Sequence, residues 1–424
     1  MNNYPKTPFT EIATLIRGVS YDKSVVSTSE QEGCIPILRA NNIQNSLVLN
    51  DLVYVPNDFV KEEQMIREGD IVLAMSSGSK DLVGKSAQAN NDINAAFGTF
   101  CGLIRAKEKV DSKYLGLYFQ TQEYRNFVSY QSKGVNICNL KKKDIESLQI
   151  PLPPLPTQHQ IVSRIESLFA ELDKAEEHLR TARQQLKTYK QAVLNHWLNN
   201  EDGKWETVKL GEVAEKIFDG PFGTHLKSDD YVADGIRVVR LENIKAGFFD
   251  DSKQSFVTEE KYETIKRHTV YPSDLIMSTF IAEEVKVCQM PEYIGFAVNK
   301  ADCIGIRLKP EISVDYIKYY LSLRSVYHEL EIQVHGATRP RVNTTQIKNI
   351  KISLPPLSEQ QRIVQEIESR LSQTEAAEAR IAEALQKTEA LRQSILKKAF
   401  SGELVVSTNS TNTFPQSSTT SKGD

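Results

Sequence analysis

The arrangement nearest to a catalytic signature is Pro272-Ser-Asp274 followed by Glu284-Val-Lys286. Two carboxylates could hold Mg2+ while the lysine activates water, as in metal-dependent nucleases. Patterns this short arise often by chance. Asp274 also matches Asp70 earlier in the chain, where it is the turn residue before a strand and no Glu-x-Lys follows. The chain lacks a G-x-x-x-x-G-K phosphate loop, a G-x-S-x-G elbow, an H-E-x-x-H pair and the N/D-P-P-Y/F tetrapeptide of adenine methyltransferases. Its seven histidines pair with no serine or cysteine motif.

Residues suited to binding are better placed. The Gly/Pro-structured loop Phe218-Asp-Gly-Pro-Phe-Gly-Thr-His-Leu-Lys-Ser228 carries His225, Lys227 and Ser228, and Arg237, Arg240 and Asn243 follow it. The loop His335–Asn343 presents Arg339, Arg341 and Asn343. Arginine reads guanine edges bidentately and asparagine reads adenine, while lysine and threonine mostly hold phosphate. In the first part of the chain the matching candidates are Arg39, Asn41, Asn42, Lys80, Lys85, Lys133, Asn136 and the Lys141–Lys143 run. Any one of them alone reads more readily as a solvated surface charge. Their recurrence at equivalent places carries the weight.

That equivalence comes from an internal repeat. Ile150-Pro-Leu-Pro-Pro-Leu155, Gln158 and Ile161-Val162 recur as Ile352-Ser-Leu-Pro-Pro-Leu357, Gln360 and Ile363-Val364. The offset of 202 also joins Ile145 to Ile347, Glu166 to Glu368 and Leu194 to Leu396. So long a period excludes a solenoid and implies two copies of a domain-plus-helix unit. The domains expected are 1–150, a helical region 151–200, a second globe 201–352, a second helical region 353–403 and a disordered Ser/Thr/Asn-rich tail 404–424. Each globe reads as mixed α/β. Gly69-Asp70 opens the buried strand Ile71–Met75, Phe100–Ile104 is another strand, and Tyr114–Gln120 begins a helix. Leu210–Val213, Ile236–Ile244, Ser273–Met277 and Tyr316–Leu323 echo the same order in the second copy.

After each globe comes a helical pattern of about 43 residues, roughly 60 Å at 1.5 Å per residue. In the first, Ile161, Ile165, Leu168, Leu172, Ala175, Leu179, Ala182, Leu186, Tyr189 and Val193 keep a 4,3 heptad spacing, the seam of a coiled coil. The second keeps Ile363, Ile367, Ala377, Ile381, Ala384, Leu391 and Ile395 in phase, but has Arg370, Thr374 and Thr388 where the first has apolar residues. These three are expected to face a partner. Ser358 with Gln361, and Thr157 with Gln160, are the expected helix caps. A globe with a radius of gyration near 15 Å cannot easily return the chain to the start of the first helix, so the helices should run antiparallel. The expected fold is two similar globes joined by two antiparallel coiled-coil helices with pseudo-two-fold symmetry.

The composition, 40% hydrophobic and 25% charged over 424 residues, is that of an ordinary soluble protein. No apolar run reaches membrane-span length, Met1-Asn-Asn-Tyr-Pro lacks the features of a signal peptide, and the expected location is the cytoplasm. Five scattered cysteines without a C-x-x-C suit buried thiols better than disulfides or zinc. A net charge of −3 confines any DNA-binding surface to local basic patches.

The doubled P-L-P-P-L…Q…I-V mark, the long helix after each copy, D-G-P-F-G-T-H-L-K-S-D-D-Y at 219–231 and Gly336-Ala-Thr-Arg-Pro340 closely resemble the specificity subunit of Type I restriction-modification enzymes. The resemblance covers nearly the whole chain. It implies that each globe is a target recognition domain reading one half of a bipartite, asymmetric site in double-stranded DNA. It makes the helices a spacer and a docking site for two methyltransferase (modification) subunits. It places S-adenosylmethionine on those subunits, and ATP and Mg2+ on restriction subunits, leaving this chain non-catalytic and without a cofactor or metal. One departure is that the first globe lacks an evident Gly-Pro-Phe-Gly loop. The rival from another class is a scaffold of two ligand-binding globes on a coiled coil, which heptads alone fit equally well.

Overall fold

A computed structural model describes residues 4–77, 82–131, 138–199, 203–281, 283–334 and 340–404. The expected disordered tail, Lys80, Lys133, Asn136 and Arg339 therefore lie outside the described residues, apart from Leu404 at the tail's first position. The chain divides into two compact units, residues 1–179 with 383–424, and residues 180–382. The fold is mixed α and β. Among the described residues no helix is long and apolar enough to cross a membrane.

In the first unit a four-stranded antiparallel sheet has the order Ala13–Arg17, Cys101–Ala106, Ile71–Ala74, Ser86–Gln88. The Ile71–Ala74 strand is buried on both faces, as its unbroken apolar run requires. A second sheet pairs Val53–Pro56 antiparallel with Cys34–Leu38, and Cys34–Leu38 parallel with Ala96–Phe97. Lys6–Pro8 pairs with Gln149–Pro151 and closes the globe. Tyr114, Tyr118 and Phe119 of the aromatic helical segment fill the core beside Ile71, Leu73 and Ile104. Phe100 is not part of a strand. It is 69% exposed, and the strand begins one residue later, at Cys101.

The second unit repeats this plan. Its four-stranded sheet has the order Ala214–Asp219, Cys303–Leu308, Leu275–Ser278, Val287–Gln289. Ile236–Val239 and Ala297–Asn299 repeat the parallel pair, and Glu206–Lys209 with Lys351–Leu354 repeats the closure. Val208 stands opposite Ile352 as Thr7 stands opposite Ile150.

The long helices are α1, Leu155–Leu198, and α2, Leu357–Ser401. Both begin at the leucine of the repeated mark, ahead of the caps expected at Thr157 and Ser358. The first turns close on Pro154 and Pro356, whose carbonyls accept from Gln158 N at 3.1 Å and Gln360 N at 3.0 Å. The glutamines supply what a capping box would not. Each is 1% exposed. Gln158 Nε2 donates to Pro153 O at 2.7 Å and its Oε1 accepts from Asp111 N at 2.9 Å. Gln360 does the same with Pro355 O at 2.8 Å and Ser313 N at 2.9 Å. Asp111 and Ser313 in turn cap the aromatic helices of the two globes. One side chain thus fixes a long helix to its globe.

The helices run antiparallel inside each unit. In the first, Ile161 and Ile165 share a core with Leu396, Ala399 and Phe400, while Arg392 lies over the Phe169 ring at 5.1 Å. In the second, Lys190 reaches Glu378 at 2.7 Å, and seven residues on the Trp197 ring lies 5.4 Å from Arg362 and 5.7 Å from Arg370. The seam departs from strict heptads. Ala175, Tyr189 and Leu391 are exposed, whereas Glu176, Lys190 and Arg392 turn partly inward. Nor are Thr374 and Thr388 presented outward to a partner. They are 5% and 8% exposed, with hydroxyls donated to Leu371 O and Leu385 O. Arg370 is exposed, and its seam place is taken by buried Leu371. A 3.6-residue helix drifts out of a 3.5-residue frame over this length, so neighbouring positions take over.

Candidate nucleic-acid interface

An ion pair with a buried carboxylate clamps the turn before a central strand of each sheet. Arg307 Nε and Nη2 donate to Asp274 Oδ1 and Oδ2 at 2.9 and 2.7 Å, and Tyr271 N donates to Oδ2 at 2.9 Å. In the first unit Arg105 holds Asp70 at 2.9 and 2.6 Å, with Arg67 N at 2.8 Å. Both oxygens of Asp274 are therefore engaged in a turn clamp that both copies share, while Glu284 and Lys286 are exposed. The Arg307 guanidinium is held above its ordinary pKa, chiefly by its hydrogen bonds to Asp274. Among the described residues no group of three or more His, Cys, Asp or Glu is placed to hold a metal. Burial pushes the thiols of Cys101 and Cys288 up to about 12, leaving them unreactive as thiolates.

From this frame, loops of the second unit gather cations and rings. Gly220 opens the Gly-Pro-Phe-Gly loop where the backbone passes so close to Lys300 that a Cβ would lie 2.1 Å from its carbonyl carbon. Lys300 Nζ lies 5.2 Å from the centre of the Tyr231 ring and the Arg240 guanidinium 5.5 Å from it. Two residues past Lys300, Asp302 Oδ1 is 3.1 Å from Arg341 Nη1. Arg341 pairs in backbone with Phe280 and lies 4.5 Å over its ring. Phe222 is 50% exposed on the neighbouring loop. Cations over aromatic rings beside exposed loops form the kind of surface on which bases stack and phosphates are held.

The first unit does have a counterpart of the glycine loop. Gly18, 202 positions before Gly220, sits where a Cβ would meet Gly98 O at 2.0 Å. Val19 N donates to Phe97 O at 2.7 Å, and Thr99 Oγ1 to Val19 O at 3.2 Å. Sequence reading missed it because Gly18-Val-Ser-Tyr21 shares one side-chain type with Gly220-Pro-Phe-Gly223. Its surface differs. Phe100 stands where the second unit has Asp302, and Gly98 where it has Lys300.

The candidate residues fall into three groups. Asn42 and Asn243 are buried, and their amides are engaged inside their own loops. Each accepts from the backbone N of Arg39 or Arg240, and each donates to two carbonyls, Val48 and Asn50 or Asp250 and Lys253. Arg237 is 7% exposed, bonded to Asp251 Oδ1 at 2.6 Å, and its pKa is lowered by desolvation. These three shape loops. A second group is partly engaged. Arg39 and Asn41 both reach Asp51, Lys85 is half-buried, Arg240 lies on Tyr231, and Asn343 caps the helix Thr344–Lys348 through Gln346 N. The third group is exposed: Lys141, His225, Lys227, Ser228 and Arg341. Tyr231, Phe280, Lys300 and Asp302 were not found from sequence. Tyr231 ends the stretch 219–231, and Lys300 and Asp302 stand 202 positions after Gly98 and Phe100, which was the signal open to the sequence.

The Type I restriction modification DNA specificity domain family matches the chain twice, over residues 3–181 and 202–387. The chain is 32% identical over 410 residues to the Type I restriction enzyme EcoKI specificity subunit of Escherichia coli K12, covering 94% of this chain and 88% of the relative. It is equally 32% identical over 414 residues to the StySPI specificity subunit of Salmonella potsdam, with the same coverage. A solved chain described under complex assembly and conformational transition of the type I R-M system has the same fold. It matches with a TM-score of 0.67 and 19% identity over 95% of this chain and 99% of that one. The doubled globe, the doubled helix and the doubled family match agree, and the chain belongs to the family of Type I restriction-modification DNA specificity subunits.

Proposed function

We propose that this chain directs a Type I restriction-modification complex to a bipartite DNA site. Residues 1–150 read one half as a target recognition domain, and 201–352 read the other. The observation that carries this reading is one scaffold presenting two different surfaces. The Asp–Arg clamp, the close-packed glycine and the loop asparagine recur, whereas Phe100 and Gly98 are exchanged for Asp302 and Lys300. A shared frame with unlike contacts suits an asymmetric site.

Helices α1 and α2 then set the distance between half-sites and dock two modification subunits. Restriction subunits join that complex. S-adenosylmethionine, ATP and Mg2+ belong to those partners, and the assembly works in the cytoplasm on double-stranded DNA. Two readers on one face of a duplex require half-sites about one helical turn, roughly 34 Å, apart. Mapping methylated adenines in cells carrying this chain with its modification partner tests the reading. One motif with two fixed halves around an unread spacer is expected, and methylation without a sequence motif contradicts it. Removing one heptad from α1 should shift or abolish the preferred spacer. An unchanged spacer argues against a helical ruler.

A further inference from the structure

We propose that Arg341 is the base-reading residue of the second unit, that its ligand is the major-groove edge of a guanine, and that Asp302 is its positioning residue. The proposal rests on the reading of this chain as a DNA specificity subunit and adds a residue and a base to it.

Arg341 combines exposure with restraint. Its side chain is 45% exposed, yet three contacts fix it. The Phe280 ring, its centre 4.5 Å from the guanidinium carbon, supports the cation. Asp302 Oδ1, an ion-pair contact 3.1 Å from Nη1, holds the charge on that side. The backbone is tied on either side by the two bonds of the Phe280–Arg341 bridge, Ile281 N donating to Pro340 O at 3.4 Å and Val342 N donating to Thr279 O at 2.9 Å. A guanidinium has five N–H donors, so a single carboxylate contact leaves a forked edge for O6 and N7 of guanine. An ion pair this exposed contributes little to stability. Its consequence is orientation, which removes an entropic cost of binding from a long side chain.

Asp302 is itself held in an uncommon state. Its φ is +73°, a left-handed conformation that non-glycine residues adopt rarely and often at functional sites. Its carbonyl accepts from Thr279 N at 2.9 Å, so the turn that bears the carboxylate is locked to the strand end that bears Phe280. The corresponding residue of the first unit is Phe100, which cannot pair with a cation in this way. The device is therefore confined to one half-site.

The test maps adenine methylation by the assembled complex with the wild-type chain and with R341K, R341Q, D302A and D302E. In R341K and R341Q the first half-site and the spacer should stay, while one G·C position of the second half-site loses about ten- to a hundredfold of its preference. D302A should weaken the same position, and D302E, which keeps the charge in a less favoured backbone, should recover it in part; a loss spread evenly over the second half-site would mark a merely structural role. An unchanged motif in R341Q, a wild-type second half-site with no guanine, a change in the first half-site, or even blurring across the second overturns the inference. Should a variant methylate nothing, its complex is titrated with duplexes bearing or lacking that guanine. Loss confined to the guanine-bearing duplex supports the assignment, and equal loss on both overturns it. A wild-type chain that yields no bipartite motif contradicts the specificity reading itself and is distinguishable from all of these.

Discussion

Lys190 Nζ donates to Glu378 Oε2 at 2.7 Å between α1 and α2 in the second unit. Arg392, 202 positions after Lys190, reaches Asp173 and lies 3.7 Å from Glu176, which is 202 positions before Glu378. The same ion pair is thus made once in each unit, with cation and anion exchanging helices. In both, the cation occupies a place where the heptad pattern pointed to its neighbour, Tyr189 or Leu391. The helix pair is joined at these points by charge, while its apolar packing is concentrated at the ends next to each globe.

Reversing the pair tests that account. K190E and E378K should each lower stability by about 0.5–1 kcal/mol, the range for partly exposed ion pairs. The double variant should recover most of it. Denaturant midpoints of the three variants measure the effect, and a double variant no better than the sum of the singles would show that the two charges do not interact.

Gln360 offers a larger effect. Replacing it with leucine keeps the volume but strands Ser313 N and Pro355 O without partners in a buried place. A loss of about 2–4 kcal/mol is expected from two unsatisfied backbone groups. Q158L should act similarly on Asp111 N and Pro153 O. Stability within a few tenths of a kcal/mol of wild type in either variant would mean that these amides do not tie helix to globe.

His268 makes the second unit sensitive to acid. Its Nδ1 donates to Asp219 O at 2.6 Å, beside the glycine loop, and Nε2 accepts from Arg267 Nε at 3.0 Å, an arrangement of the neutral ring. Burial lowers its pKa below the ordinary 6.5. With the folded pKa depressed, protonation favours the unfolded chain. The stabilisation is fully present above pH 6.5 and is lost as pH falls through the folded value. H268Q should flatten this part of the stability–pH curve. A slope unchanged in H268Q would assign the titration to other groups.

Much of the fold was legible because it was stated twice. The offset of 202 implied two globes, each followed by a long helix, and the apolar run Ile71–Met75 marked the buried strand Ile71–Ala74. What escaped depends on three-dimensional packing. Asn42, Asn243 and Arg237 have side chains that suit DNA, yet they are buried within loops whose course no local pattern reveals. Ala175, Tyr189 and Leu391 fitted the heptad frame, but a helix of this length drifts from it. Phe280 and Asp302 lie far from Arg341 in sequence and meet it only through a strand end and a left-handed turn.

The most direct test of two independent readers is replacement of residues 205–352 by the corresponding globe of a relative, followed by mapping of methylated adenines in cells that supply the modification subunits. The motif expected keeps its first half and spacer and has a wholly new second half. A change in both halves, or in neither, would contradict it.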